Sequence, residues 1–200
     1  MYQTPVTTTS LSMSVLPSLS VDDSSSALLA SQRFVSEACL EFLIMETVDT
    51  MFRTTLDAET DREAVFYKLE MLGYRVGQSL VERLTKDRPR FVDTLDVVKF
   101  VCKDLWTIAF KKQIDNLKTN HRGVFVLQDN NFRWFMRMST ETGAQDSAKK
   151  AAPYLWFPCG LIRGALANLG VVSVVIAETH IPNQNRKGIS HQDSVSIVEL

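Results

Sequence analysis

The chain has 200 residues, of which 45% are hydrophobic, and this is enough for one globular domain with a sizeable core. Its 22 basic and 23 acidic residues nearly cancel, which argues against a nucleic-acid-binding protein, because such proteins usually carry a basic excess. No segment approaches the run of about 20 apolar residues that crosses a bilayer. Signals for secretion or lipid attachment are also missing, so we expect any membrane association to be peripheral and to come through partners.

The first 31 residues differ in composition from the rest. They are rich in Ser and Thr and carry only two charged side chains, Asp22 and Asp23. Their hydrophobic residues follow no sustained period, so this segment cannot bury enough apolar surface to offset its ordering entropy. We expect residues 1–31 to be a disordered tail and residues 32–200 to form the folded domain.

A helix is predicted over residues 33–53, and apolar side chains cover most of its circumference. One predicted face contains Phe34, Ala38, Phe42, Met45 and Phe52, extended by Val35, Cys39 and Leu43, with Leu40, Ile44 and Met51 on the far side. A helix that is apolar nearly all round is usually buried. At the start of a small domain it can instead face the core on one side and a partner on the other.

Two shorter helices are predicted next; one glycine is predicted to end the first, and another lies inside the second. The first covers Arg62–Leu72 with Asp61 as its cap, and Gly73 supplies the left-handed residue that commonly ends a helix. The second covers Tyr74–Thr85. Gly77 lowers its helix propensity and makes sense where another backbone passes closely.

The longest periodic segment is Asp93–Asn120, which predicts the central helix of the domain. A β-hairpin follows from Gly123, with strands Val124–Leu127 and Phe132–Met138 around an Asp-Asn-Asn turn. Residues 139–152 are polar and predict a loop.

The C-terminal part begins with Pro158, a residue suited to the first turn of a helix. That helix, Cys159–Leu169, carries Gly160 and Gly164 on one face for close packing and ends at Gly170. A strand buried on both faces is predicted for residues 171–181, followed by a polar loop at 182–192 and a last strand at 195–200. Helices followed by a hairpin, a helix and two strands indicate an α+β fold, with helices packed on a small antiparallel sheet of about four strands.

Residues typical of catalysis or metal binding are scarce. Cys39, Cys102 and Cys159 lie far apart in apolar stretches, which predicts reduced thiols in a core. His121 follows the predicted central helix, where it would contact the last carbonyls. Arg163 lies in an apolar helix and could form a buried or interface ion pair, or extend its charged end to solvent. We assign no catalytic, cofactor-binding or metal-binding residue and expect no cofactor.

Several runs of sequence resemble the sixth-subunit branch of the TRAPP vesicle-tethering complex, within the Bet-three superfamily. Two of them mark the superfamily, namely Gly-Tyr-Arg-Val-Gly at 73–77 and Cys-Gly-Leu-Ile-Arg-Gly-Ala-Leu at 159–166. Two others point to the sixth subunit, namely Cys-Lys-Asp-Leu-Trp at 102–106 and Thr-Asn-His-Arg-Gly at 119–123. The resembling segments run through residues 37–181.

The resemblance implies helices packed on a small antiparallel sheet and a non-catalytic role. It implies a heterodimer with the Bet-three-type subunit through the first two helices, contacts with other TRAPP core subunits and, indirectly, with a Rab GTPase. The complex tethers vesicles and exchanges nucleotide on that GTPase in ER-to-Golgi and Golgi transport, so the implied location is cytoplasmic and peripheral at cis-Golgi membranes.

The Bet-three subunit carries an acylated cysteine before its central helix, whereas this chain has Asp-Arg-Pro-Arg at 87–90. We therefore expect no acyl group.

The large apolar side chains of the first two helices are the candidate contacts to this partner. The candidates are Phe42, Leu43, Met45, Val48, Phe66 and Leu69. For each of them the competing interpretation is a core residue, because large apolar side chains are normally inside. A second function, binding of an apolar small ligand or acyl chain between the wide apolar helices, also stays open.

Overall fold

The computed structural model describes residues 35–55, 62–120, 123–135, 144–180 and 194–199. The chain divides into two units, Met1–Ser36 and Glu37–Leu200, and every helix and strand reported below belongs to the second. The predicted tail 1–31, the predicted cap Asp61 and the predicted loop 182–192 lie outside the described residues.

The first two helices are α1 (Glu37–Thr54) and α2 (Arg62–Thr85). Helix α1 agrees with the prediction apart from its start. Helix α2 corrects the prediction of two short helices, because it continues through Gly73 without a break. Gly73 is not in the left-handed conformation, and its hydrogen side chain serves close packing instead.

The central helix consists of three consecutive segments. They are α3 (Thr94–Phe100), a π-helical turn (Val101–Leu105) and α4 (Trp106–Phe110). Asp93 begins it, since its side-chain carboxylate accepts a hydrogen bond of 2.7 Å from the backbone N–H of Asp96. Lys111, with φ 61°, ends it in a left-handed turn. The prediction of a helix to Asn120 was wrong, because the helix ends at Phe110 and Asn116–Thr119 pair as a strand.

The last helix is α5 (Ala144–Asn168), which passes through both Pro153 and Pro158. The predicted loop at 139–152 was therefore wrong from residue 144 onwards. The prediction that a helix starts only at Pro158 and Cys159 was also wrong. Each proline removes one helix hydrogen bond, but the middle of α5 is packed closely against α2, and such packing supplies most of a helix's stability. Gly170, with φ 84°, ends this part of the chain as predicted.

The described strands form one antiparallel sheet of four, as the sequence predicted. They are β1 (Asn116–Thr119), β2 (Val124–Asp129), β3 (Val174–His180) and β4 (Ser194–Glu199), in the order β1-β2-β4-β3. The hairpin partner of β2 is β1 and not the predicted 132–138 segment, which begins with a short 3-10 helix, Arg133–Phe135. The prediction that this strand is buried on both faces was wrong: Val175 is buried while Val174 and Ile176, on the opposite face, are exposed. The strand β3 lies at an edge of the sheet.

Helices α2 and α5 cross with their backbones in contact. A methyl group at Gly77 would lie 1.9 Å from the carbonyl oxygen of Leu161, and one at Gly164 would lie 2.0 Å from that of Tyr74. The predicted roles of these glycines in close packing are confirmed. No other residue type fits at such a crossing, because every other side chain begins with a Cβ atom.

The main core lies between the central helix, the sheet and α5. Its centre is a group of aromatic rings, each with its centroid 4.6 to 5.7 Å from that of at least one other ring of the group: Trp106, Phe110, Phe132, Trp134 and Phe135. Two of the predicted core cysteines, Cys102 and Cys159, belong to it. The prediction was wrong for Cys39, which is exposed on α1.

Candidate partner-binding surface

The outward face of α1 is apolar in its first two turns. Phe42 and Leu43 are 62% and 63% exposed, and Leu40 lies exposed beside them. The inward face carries Ile44 and Val48. The sequence did not say which face of this helix points to the core; in the structure Ile44 packs inward and Phe42 faces solvent. Exposure of neighbouring large apolar side chains is typical of an interaction surface.

The outward face becomes charged in the second half of α1. Arg53 pairs there with Glu46 and with Asp49, the latter at 2.8 Å. These paired ions make the second half of α1 polar, so the apolar part of its outward face is confined to the first half. We call Leu40, Phe42 and Leu43 the apolar end of α1.

A small second core supports α1. It contains Val48, Val65 and Leu69, each almost completely buried, with Met51 and Phe52 packed against it. Val48 and Leu69, two of the six candidate contacts, therefore lie beneath the surface and cannot form it in this chain. Their role is to hold α1 on α2, and this corrects the sequence-based assignment for these two residues.

Trp156 of α5 connects the first two helices. Its ring lies 6.1 Å from that of Phe52 on α1 and 5.7 Å, edge to face, from that of Phe66 on α2. Phe66 remains about one-third exposed and Met45 is half-buried, so these two candidates border the surface. Trp156 was missed by sequence reasoning, because a tryptophan in an apolar helix gives no indication of which helices it contacts.

A largely buried ion pair joins α2 to α5. Glu70 accepts hydrogen bonds from Nε and Nη2 of Arg163, the second at 2.8 Å. The guanidinium group lies over the ring of Tyr74, 4.5 Å from its centroid. The hydrogen bond to Glu70 raises the pKa of Arg163 further. Of the alternatives left open for Arg163, the structure shows the ion pair; Glu70 was missed, although an acid among inward-facing apolar residues is a usable signal.

Reactive side chains are few in the described part of the chain. Burial raises the pKa of both the Cys102 and the Cys159 thiol to about 12, so both are protonated at neutral pH.

Within the described ranges, no three side chains of the metal-binding types gather to hold an ion. His121 and His191 lie outside those ranges, and the central helix, which was predicted to reach Asn120, ends at Phe110. No described helix has the length and apolar composition of a bilayer crossing.

The fold and this surface define a class of protein: an α+β domain, with helices packed on a four-stranded antiparallel sheet, that presents an exposed apolar helix end. Comparison with known proteins identifies the family. Residues 40–197 match the model of the family described as Transport protein particle (TRAPP) component. The chain therefore belongs to the TRAPP component family.

Within that family the chain is similar to sixth-subunit proteins. It is 50% identical over 142 residues to human trafficking protein particle complex subunit 6B, covering 71% of this chain and 88% of that protein. It is 43% identical over 141 residues to subunit 6A of Bos taurus, covering 70% and 87%. These similarities confirm the resemblance to the sixth subunit.

A solved structure shows the same fold. It is the crystal structure of a trafficking protein particle complex subunit 3 from Naegleria fowleri covalently bound to palmitic acid. The TM-score is 0.55 with 16% identity, and the match covers 82% of this chain and 98% of that one. At this identity the likeness concerns the fold alone, and it confirms the prediction of a Bet-three-like α+β domain.

Proposed function

We propose that this chain is a non-catalytic core subunit of the TRAPP tethering complex, where it forms a heterodimer with a Bet-three-type subunit. The observation that carries the proposal is the apolar end of α1, where Phe42 and Leu43 are both more than half exposed. Covering one such side chain contributes about 1.5–3 kcal/mol, so a protein that leaves several exposed gains by association.

The contact would consist of a central apolar group and a partly covered border. Leu40, Phe42 and Leu43 form the centre, and Met45 and Phe66 form the border. A standard interface buries about 800 Å² on each partner, an area that two helices can supply. Val48 and Leu69 would act indirectly, by fixing α1 on α2.

The wider role follows from the family and from the similarity to trafficking complex subunits. As part of TRAPP, the chain would contact other core subunits and, indirectly, a Rab GTPase whose nucleotide the complex exchanges. Its transport steps would be ER-to-Golgi and Golgi transport, and its location cytoplasmic and peripheral at these membranes through the complex. We assign it no catalytic residue.

Co-expression with a Bet-three-type subunit tests the heterodimer. We expect a 1:1 complex by size-exclusion chromatography with light scattering, and aggregation or self-association of the chain expressed alone. Leu43→Asp should abolish the complex, because it places a charge in the apolar end of α1. Val92→Asp is the matched control, since Val92 is 92% exposed on the loop before α3 and should leave binding intact. A stable monomer indifferent to the partner would contradict the proposal.

The absence of catalysis is tested separately. The purified chain, alone or with its Bet-three-type partner, is mixed with Rab proteins carrying fluorescent GDP, and GDP release is followed. We expect the rate of spontaneous release, because the chain is proposed to contribute to assembly and not to exchange. Accelerated release by the chain alone would show that it carries exchange activity.

Acyl binding, the alternative function, lacks an attachment residue at the expected place. The palmitic acid covalently bound in the subunit 3 structure belongs to that protein. Residues 86–93 here are Lys-Asp-Arg-Pro-Arg-Phe-Val-Asp and contain no cysteine. The mass of the intact protein under native conditions should therefore equal that of the polypeptide, and a covalent or retained lipid would favour the alternative.

A further inference from the structure

The two halves of α1 are attached to the domain very differently. In the second half, Val48 is only 4% exposed, and Met51 and Phe52 pack with it in the small second core. In the first half, residues 37–47, no side chain is fully buried. We call residues 37–47 the α1 strap.

Contacts near its two ends hold the strap on the domain. Towards its C-terminal end, Ile44 packs, half-buried, against the main core. At its N-terminal end, Glu37 forms an ion pair with Arg133. Arg133 belongs to the short 3-10 helix after β2, whose other two residues, Trp134 and Phe135, are buried in the main core. The ion pair therefore attaches the start of α1 to a part of the domain that is firmly packed.

These contacts are weak compared with those of the second half. The side chains of Glu37 and Arg133 are 39% and 37% exposed, and ion pairs this open to water contribute little and are screened by salt. The strap is also shorter than the roughly 12–15 residues below which an isolated helix is marginal in water. Residues 37–54 contain neither Gly nor Pro, so no hinge is built into α1, and the strap can leave the domain only by unwinding.

We propose that the α1 strap opens and unwinds locally while the rest of the domain stays folded, and that the ion pair of Glu37 with Arg133 is the clasp that keeps it closed. Segments with few buried contacts open at a much smaller free-energy cost than the core around them. Because the clasp is a surface ion pair, ionic strength changes the closed fraction. The opening does not rest on the proposed function. If the apolar end of α1 is a partner contact, the closed fraction also scales its apparent affinity.

Hydrogen–deuterium exchange of the full chain, followed by mass spectrometry of its peptides, tests the opening. All samples carry Leu43→Asp, which leaves the inward contacts of the strap in place, so that association through the apolar end of α1 does not slow exchange. We expect the amides of residues 41–47 to be protected at least roughly tenfold less than those of residues 48–54. Equal protection along α1 would overturn the proposal, because the helix would then open as one unit.

The clasp is tested by Glu37→Gln, which removes the charge and keeps the size of the side chain. We expect exchange of amides 41–47 to become about two- to fivefold faster, with amides 48–54 unchanged. Raising NaCl from about 0.05 M to about 1 M should accelerate exchange similarly in the chain that keeps Glu37, and should leave the Glu37→Gln chain unaffected. Glu82→Gln, at an exposed position of α2, is the matched control and should change neither rate.

The exchange experiments need no partner, so they succeed or fail independently of the heterodimer. Fast exchange of the strap that responds to both Glu37→Gln and salt supports the opening and the clasp together. Fast exchange that responds to neither would overturn the role of the ion pair. Exchange that accelerates equally at amides 41–47 and 48–54 in Glu37→Gln would show that the pair stabilises all of α1, and the separate strap would be overturned.

Discussion

The indole Nε1 of Trp106 donates a hydrogen bond of 2.9 Å to the carboxylate of Asp129, and both residues are completely enclosed. The other carboxylate oxygen accepts from Nζ of Lys112 at 2.6 Å and from the backbone N–H of Asn131 at 3.1 Å. A buried carboxylate with this many donors connects the central helix to the end of β2. It satisfies polar groups that would otherwise be costly to bury.

Asp129→Asn should lower the free energy of unfolding by about 1–3 kcal/mol. The neutral amide oxygen is a weaker acceptor than the carboxylate, and the amide NH2 group would face donors such as Trp106 or Lys112. The measurement is urea unfolding followed by circular dichroism. The same substitution at Asp96, in a surface ion pair with Lys99, serves as control and should cost less than about 1 kcal/mol. Equal losses at the two sites would show that the buried network adds nothing.

Lys112 and Asp115 predict how stability changes with pH. Burial disfavours the charged form of both groups, but their hydrogen bonds and the opposite charges beside them outweigh this effect. Hydrogen bonds to Asp115 and Asp129 raise the pKa of Lys112, and hydrogen bonds from Lys112 and from the backbone of Asn130 lower the pKa of Asp115. The contribution of Asp115 is present above its unfolded-state pKa and is lost as pH falls through its lower folded pKa. That of Lys112 is present below its unfolded-state pKa and is lost as pH rises through its higher folded pKa.

Lys112→Met should therefore be less stable than the unmodified chain at pH 7, and the difference should shrink as the pH falls below the ordinary carboxyl pKa of about 4. Urea unfolding at pH 7, 5 and 3 measures this difference. Lys118→Met, at an exposed position on β1, should show a difference that does not depend on pH. A constant difference for Lys112→Met would mean that its carboxylate partners do not contribute.

Gly77→Ala should destabilise the protein by about 1–3 kcal/mol or more, because the added methyl group would lie 1.9 Å from the carbonyl oxygen of Leu161 and the helices must separate. Thermal unfolding measures the loss. Ser79→Ala, at an exposed position of the same helix, is the control and should stay within about 0.5 kcal/mol of the unmodified chain. If the two variants unfold at the same temperature, the helix crossing tolerates a methyl group at position 77.

The three cysteines should react very differently with a thiol reagent. In native protein at pH 8 we expect one rapid equivalent of label, at the exposed Cys39, and two more only in denaturant. Cys102 and Cys159 are buried, and pKa values of about 12 leave them as unreactive thiols. Cys39→Ser should abolish the rapid equivalent. Rapid labelling of that variant would mean that the core opens readily.

The sequence predicted those parts of the fold that depend on neighbouring residues and missed those that depend on distant contacts. The first helix and the last strand were predicted because their period or β-branched composition is a property of neighbouring residues. Gly73 was misread because a glycine can end a helix or permit a crossing, and only the position of Leu161 and Phe157 across the contact decides which. The strand Asn116–Thr119 was missed because it is exposed along its whole length and its pairing with β2 is what defines it.

For the candidate surface, composition alone could not say which apolar side chains of the first two helices are exposed. Six apolar residues satisfied the same description, yet Phe42 and Leu43 are exposed while Val48 and Leu69 are buried. On a helix that is apolar nearly all round, period cannot say which side faces the core. The ion pair of Glu70 and Arg163 joins residues 93 positions apart, which no local pattern reveals.

The sequence by itself determined the α+β class, the antiparallel sheet and the many apolar residues of the first helix, because these follow from residue type and short-range periodicity. It indicated the family through the resemblance of particular runs, such as residues 73–77 and 159–166. Only the tertiary structure decided which apolar side chains remain exposed, where α2 and the central helix end and which buried charges are paired. Burial and pairing depend on what the rest of the chain brings into contact, and the same residue can be a core side chain or a surface contact until its neighbours in space are known.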